Sequence, residues 1–142
     1  MPTVIFVCTG NICRSPMAEY LARSTSDEDT FRFASAGTAA TEGSPASSGA
    51  LLAMAELGID IADHSATDVR RLAADADLLF GLSSEHVSVM RRTWPDLAGR
   101  IHLLHPDGRS IPDPYGQNLA AYRTIRDQIA DAIRDRAQAN WR

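Results

Sequence analysis

Lysine is absent from this chain. All 14 of its basic residues are arginine, and 18 acidic residues leave a net charge of −4. That balance argues against a general polyanion binder such as a nucleic-acid module, which gathers a basic excess on one face. The all-arginine usage reads as a compositional habit rather than a functional device. Cysteine is scarce as well, with Cys8 and Cys13 the whole complement. A secreted disulfide scaffold uses more, and a structural zinc site needs two further ligands at suitable spacing. The four histidines, His64, His86, His102 and His105, show no such spacing, so no metal is expected. No segment approaches the ~18 apolar residues of a membrane span. The N-terminus lacks the basic start and long apolar run of a secretory leader. The expectation is a cytoplasmic protein with no membrane insertion and no nucleic-acid partner.

What is present is an alternation of strand and helix signals, the mark of a parallel α/β sheet. A length of 142 residues with 44% hydrophobic content fits one domain, residues 1–142. Thr3–Cys8 reads as a central strand, apolar nearly throughout. Ser15 is a good N-cap with Pro16 at the first helical position, and that helix runs to about Ser24. Phe31–Ser35 is a second strand, and Thr38–Ser48 a loop. A helix over Ser47–Leu57 stops at Gly58, and a short one covers Asp68–Ala74. Asp77–Leu82 is the third strand, followed by a helix over Ser84–Arg92. Ile101–Leu104 is the fourth strand, and His105–Gly116 a long Pro/Gly-rich loop. Asn118–Ala139 closes the chain as an amphipathic helix, with Leu119, Tyr122, Ile125, Ile129 and Ile133 on one stripe. The fold class is therefore α/β, a single-domain doubly wound sheet of four parallel strands with helices on both faces. Ligands of such sheets sit beyond the carboxyl ends of the strands, where the winding reverses. Cys8 ends the first strand and the Asp113 loop follows the last, so both are expected on one rim.

The chemistry concentrates in Cys8-Thr9-Gly10-Asn11-Ile12-Cys13-Arg14-Ser15. A loop turning from a strand into a helix aims several N–H groups at one point and adds the positive end of the helix dipole. Five residues between cysteine and arginine let the chain circle one tetrahedral oxyanion. Thr9, Gly10, Asn11, Ile12, Cys13 and Ser15 line that circle. Arg14 supplies a fork suited to two phosphate oxygens. Electropositive surroundings favour thiolate over thiol, which makes Cys8 the candidate nucleophile. Asn11 is the residue expected to tolerate a left-handed backbone and brace the loop. Asp113, fixed between Pro112 and Pro114, is the candidate acid for a leaving oxygen. Each has a plainer reading: Cys8 as a small buried hydrophobe, Asp113 as a turn residue, Cys13 as packing. His64 reads as a satisfied structural histidine, and His86, His102 and His105 as surface residues. Arg70-Arg71 and Arg91-Arg92 read as solvated helix faces.

Two motifs carry a family resemblance. Val7-Cys8-Thr9-Gly10-Asn11-Ile12-Cys13-Arg14-Ser15-Pro16-Met17-Ala18-Glu19 resembles the signature of the low-molecular-weight protein tyrosine phosphatases. Ile111-Pro112-Asp113-Pro114-Tyr115-Gly116 resembles their general-acid loop. Ser35-Ala36-Gly37-Thr38, Gly58-Ile59-Asp60 and Ala76-Asp77-Leu78-Leu79 fall in family order between them. The resemblance implies hydrolysis of protein phosphotyrosine through a cysteinyl-phosphate, with no metal or organic cofactor and a phosphorylated protein as partner. It also implies affinity for phosphate-like oxyanions, a histidine at 64 supporting the loop from behind, and a protective Cys8–Cys13 disulfide under oxidation. Ile12 and Tyr115 match two of the family's hydrophobic walls for the aryl ring. The loop Ala39-Ala40-Thr41-Glu42-Gly43-Ser44 lacks the aromatic of a third wall, and Gly116 replaces a second tyrosine.

Three other readings remain. The protein arginine phosphatase branch shares Cys-Thr-Gly-Asn and the Asp-Pro-x-Gly ending, but tends to carry threonine for Ile12 and phenylalanine for Tyr115. A thiol-coupled arsenate reductase needs further downstream cysteines, which this chain lacks. A non-catalytic oxyanion-binding module needs neither Cys8 nor Asp113.

Overall fold

The computed structural model describes residues 1–26 and 29–142. Four strands, β1 (Thr3–Cys8), β2 (Arg32–Gly37), β3 (Leu78–Gly81) and β4 (Ile101–Leu103), form an all-parallel sheet in the order β2-β1-β3-β4. β1 is central because both its faces are apolar: five of its six residues are buried. Alternation sends Val4, Phe6 and Cys8 to one face and Ile5 and Val7 to the other.

Three helices cover the Phe6 face: α1 (Arg14–Thr25), α2 (Ser48–Ala55) and α4 (Leu119–Gln138). α4 buries Tyr122, Ile125, Ile129 and Ile133, the stripe expected from its spacing. Val87 and Met90 of α3 (Ser84–Thr93) cover the opposite face, so helices flank both sides. Ser47 caps α2 through the N–H of Ala50, and Asn118 caps α4 through that of Ala121.

The structure corrects several local expectations. α1 starts at Arg14, and Ser15 lies inside it rather than capping it. The Ser15 hydroxyl faces Cys8 instead, and Pro16 still falls within the first turn, where a missing N–H costs nothing. β2 extends to Gly37, carrying Ser35 into the sheet. The expected helix over 68–74 is two short 3₁₀ turns, Val69–Arg71 and Ala73–Asp75. A further 3₁₀ turn, Pro95–Arg100, leads into β4.

Two successive left-handed residues, Asn140 (φ 57°) and Trp141 (φ 63°), turn the chain sharply after α4. This turn drives the Trp141 indole under the sheet, where it is 2% exposed. Its ring lies 5.1 Å from Phe33 and 5.8 Å from Phe6 by centroids, with Phe31 and Phe80 also in contact. The chain's terminal turn thus completes the core beneath β1. Trp141→Ala is expected to cost about 3–5 kcal/mol of unfolding free energy, as for other buried aromatic truncations, read from urea denaturation.

Candidate active site

The loop after β1 and the loop after β4 meet at the carboxyl edge of the sheet, at the switch point between β1 and β3. They enclose a cavity of about 210 Å³ lined by Cys8, Thr9, Gly10, Ile12, Cys13, Arg14, Asp113 and Tyr115. That volume lies below the roughly 300–1,000 Å³ of pockets that enclose whole small molecules, and suits the end of a single side chain. The shared rim expected from topology is present, with Arg14 Nη2 3.7 Å from Asp113 Oδ2.

Asn11 sets the curvature of the first loop. Its backbone is left-handed, φ 56°, as expected, and its side chain is wholly buried. Nδ2 donates to Ser15 Oγ (2.8 Å) and Ser35 Oγ (3.0 Å), while Oδ1 accepts from the Thr67 N–H (2.9 Å). The Ser35 hydroxyl in turn donates a hydrogen bond to Glu19 Oε1 (2.6 Å), and Glu19 pairs with Arg23. His64 Nε2 stands 2.7 Å from the Asn11 carbonyl. A carbonyl only accepts, so His64 carries its proton on Nε2. Here His64 sits behind the loop as a buried, satisfied histidine.

Cys8 is 3% exposed, and its sulfur lies 2.9 Å from Ser15 Oγ. Ser15 Oγ also accepts from Asn11 Nδ2 and reaches the Ala36 carbonyl as donor (3.3 Å), so its one proton is shared between that carbonyl and the sulfur. Arg14 is buried, and its Nη1 donates to the Ile111 carbonyl (3.0 Å). Its Nε is buried without a hydrogen-bond partner among the described residues. An orphaned buried guanidinium N–H is costly unless a ligand supplies its acceptor. Cys13 faces away, against Ser47 Oγ (3.2 Å) and Tyr122 OH (3.3 Å). Burial raises its thiol pKa, and burial together with the Cys13 contact pushes the Tyr122 phenol up to about 12. Both cysteines are free thiols.

Asp113 is half-exposed, and its Oδ1 accepts the Tyr115 N–H (3.0 Å) in a turn that fixes the carboxylate. Tyr115 stands 64% exposed and lines the cavity together with Ile12. None of residues 39–44 reaches the lining. The start of that loop is instead tied to the first, Thr38 N–H to the Cys8 carbonyl (2.9 Å) and Ala39 N–H to that of Thr9 (3.0 Å).

Two histidines expected at the surface are buried, and the reason is a set of partners that sequence spacing does not show. His105 is 6% exposed between Asp107 (2.8 Å) and Arg109 (2.9 Å). His86 is 3% exposed, and its Nε2 lies 2.9 Å from Thr9 Oγ1. His102 is half-buried beside the Phe80 ring. The arginine pairs are exposed as expected, yet Arg91 donates to the Ile101 carbonyl (2.6 Å) and Arg71 pairs with Glu42 (2.9 Å).

Residues 3–139 match the model of the family described as low molecular weight phosphotyrosine protein phosphatase. The chain belongs to that family. It is 38% identical over 134 residues to the low molecular weight protein-tyrosine-phosphatase Ptp of Acinetobacter johnsonii, covering 93% of each chain. It is also 29% identical over 144 residues to a protein-arginine-phosphatase of Bacillus subtilis, covering 95% of this chain and 94% of that one. Among solved structures, Vibrio vulnificus Wzb in complex with benzylphosphonate superposes with a TM-score of 0.91 at 27% identity, covering 97% and 98% of the two chains. Among the described residues, no helix is long and apolar enough to cross a membrane.

Burial, with Arg14 nearby, pushes the His86 pKa down to about 4, against a weaker opposing pull from Asp113. The imidazole is therefore neutral in the fold at neutral pH. Below about pH 6.5 the unfolded chain takes up a proton that the native protein refuses, so stability falls as pH falls toward 4. The loss accumulates to about 3 kcal/mol across that window, at 1.36 kcal/mol per pH unit. Urea unfolding at pH 7 and pH 4.5 should show a smaller acid loss for His86→Gln than for the wild type.

Proposed function

We propose that this phosphatase hydrolyses phosphotyrosine in proteins through a cysteinyl-phosphate on Cys8. The observation that carries this reading is the buried Arg14, which carries an unpartnered Nε and lines a cavity shared with both a thiol and a carboxyl group. A binding module needs neither of the last two groups.

In the first step the Cys8 sulfur attacks phosphorus in line as a thiolate, forming the S–P bond while the P–O bond to the leaving group breaks. Asp113, as its acid form, gives its proton to the departing oxygen. Backbone N–H groups over Thr9–Ser15 and the Arg14 fork hold the equatorial oxygens as charge redistributes. In the second step Asp113 takes a proton from water, the water oxygen bonds to phosphorus, and the S–P bond breaks. The Ser15 hydroxyl, 2.9 Å from the sulfur, turns its proton from the Ala36 carbonyl to the departing thiolate. No metal or organic cofactor enters either step.

Phosphotyrosine is favoured over phosphoarginine by the mouth. Ile12 and Tyr115 both line the cavity, and their apolar surfaces suit a flat aryl ring. A phosphorylated guanidinium would instead leave polar N–H groups against the Ile12 side chain, and unpaired buried donors are penalised. Benzylphosphonate, an aryl-type oxyanion, occupies the related Wzb.

Phosphate release from matched phosphotyrosine and phosphoarginine peptides tests this, with Cys8→Ser as the blank. Preference for phosphotyrosine is expected, and preference for phosphoarginine would overturn the substrate assignment. Arg14→Lys should lower kcat/KM by at least about 100-fold, because a point charge replaces a bidentate fork. An Arg14→Lys enzyme within a few-fold of wild type would remove the guanidinium from the mechanism.

A further inference from the structure

His86 is a buried histidine that the proposed chemistry does not use, and the turn that carries it contacts both active-site loops. It is the third residue of α3, and its Nδ1 lies 3.1 Å from the backbone N–H of Ser83, the residue that caps the helix. A backbone N–H only donates, so Nδ1 is an acceptor and the neutral ring carries its proton on Nε2. Nε2 therefore donates to Thr9 Oγ1 at 2.9 Å. Thr9 follows the nucleophile and lines the cavity. With its oxygen accepting from His86, the Thr9 hydroxyl keeps its own proton to donate elsewhere.

The same turn of α3 grips the other loop. The Ser84 N–H donates to Ser110 Oγ (2.9 Å), and Ser110 Oγ donates to Ser84 Oγ (3.3 Å). One residue further on, the Ile111 N–H donates to the Leu82 carbonyl (2.9 Å), and the Ile111 carbonyl receives Arg14. Ser110 lies three residues before Asp113. Residues 82–86 thus bind the nucleophile loop on one side and the acid loop on the other.

We propose that His86 is a positioning residue for the phosphatase reaction: through Thr9 it locks the Cys8 loop onto the first turn of α3, which fixes its register against the loop that carries Asp113. This rests on the Cys8 and Asp113 roles proposed above. The physical reason is that in-line attack and protonation of the leaving oxygen demand fixed distances between groups from opposite ends of the chain. Thr9 is exposed, and without His86 nothing on its α3 side would hold its hydroxyl. A loop shift there leaves phosphate binding largely intact but moves the leaving oxygen away from the acid.

The test is kcat and KM on aryl phosphates with graded leaving-group acidity. His86→Ala should lower kcat about 10- to 100-fold for the most basic leaving groups, with KM changing far less. For the most acidic leaving groups, which depart without a proton, the loss should be small, so the leaving-group dependence steepens toward that of Asp113→Asn. His86→Gln keeps both a cap acceptor and an N–H donor and should recover to within about threefold of wild type. Thr9→Val removes the same hydrogen bond from an exposed position and keeps the test open if His86→Ala unfolds. Its effect should not add to that of His86→Ala.

A wild-type leaving-group slope in folded His86→Ala or in Thr9→Val would overturn the proposal, as would additive losses in the double variant. Cys8→Ser and Asp113→Asn run in parallel. Residual turnover in Cys8→Ser, or a flat response in Asp113→Asn, would mark failure of the underlying reaction scheme instead.

Discussion

One asparagine holds the site in shape. Asn11 occupies the left-handed region, which an L-residue enters at a cost, and its side chain returns three hydrogen bonds from a wholly buried position. The kink it makes turns the chain out of the strand direction between β1 and α1. Its amide donates to the Ser15 oxygen, which holds that hydroxyl 2.9 Å from the Cys8 sulfur. Ser35, Glu19, Thr67 and His64 serve the asparagine in turn. They come from α1, from β2 and from the segment before the 3₁₀ turns, so the loop is held on several sides.

This arrangement explains why Gly37 ends β2. A Cβ there would lie 2.4 Å from the Thr9 carbonyl oxygen and 3.1 Å from the Asn11 nitrogen. β2 must pass this close because its Ser35 has to reach Asn11 and because the loop after it ties to Cys8 and Thr9. That same closeness shapes the mouth. The segment after Thr38 is drawn against the backbone of the Cys8–Ser15 loop, so its residues leave Tyr115 as the aromatic ring at the cavity.

Much of the site was legible because it is local. The strand, the Cys8–Ser15 loop and the following helix are contiguous, and their chemistry follows from residue type and spacing. The apolar β1 and the stripe on α4 were equally readable, since burial on a sheet or helix face imposes its period on the sequence. Ser15 misled for a related reason. A serine before a proline reads as a helix cap, but here a buried sulfur and an amide compete for its hydroxyl. His86 and His105 misled because a lone histidine near a loop carries no period. His86 is held by a threonine from another loop, a partner across the fold that no local rule places there, whereas His105 sits against Asp107 and Arg109 within its own loop.

The sequence by itself determined the alternating α/β order, the parallel sheet and the tight Cys8–Ser15 turn from strand to helix, because each depends on neighbours a few residues apart. Only the tertiary structure decided which distant groups share the cavity. Cys8 and Asp113 meet because the order β2-β1-β3-β4 turns the chain in opposite directions from β1, and both loops leave at the carboxyl edge. The proton placement on His64 and His86, the orphaned Nε of Arg14 and the burial of Trp141 are likewise tertiary facts. Each is fixed by a partner across the fold, and a hydrogen bond or a packed ring depends on distance in space, which sequence separation does not set.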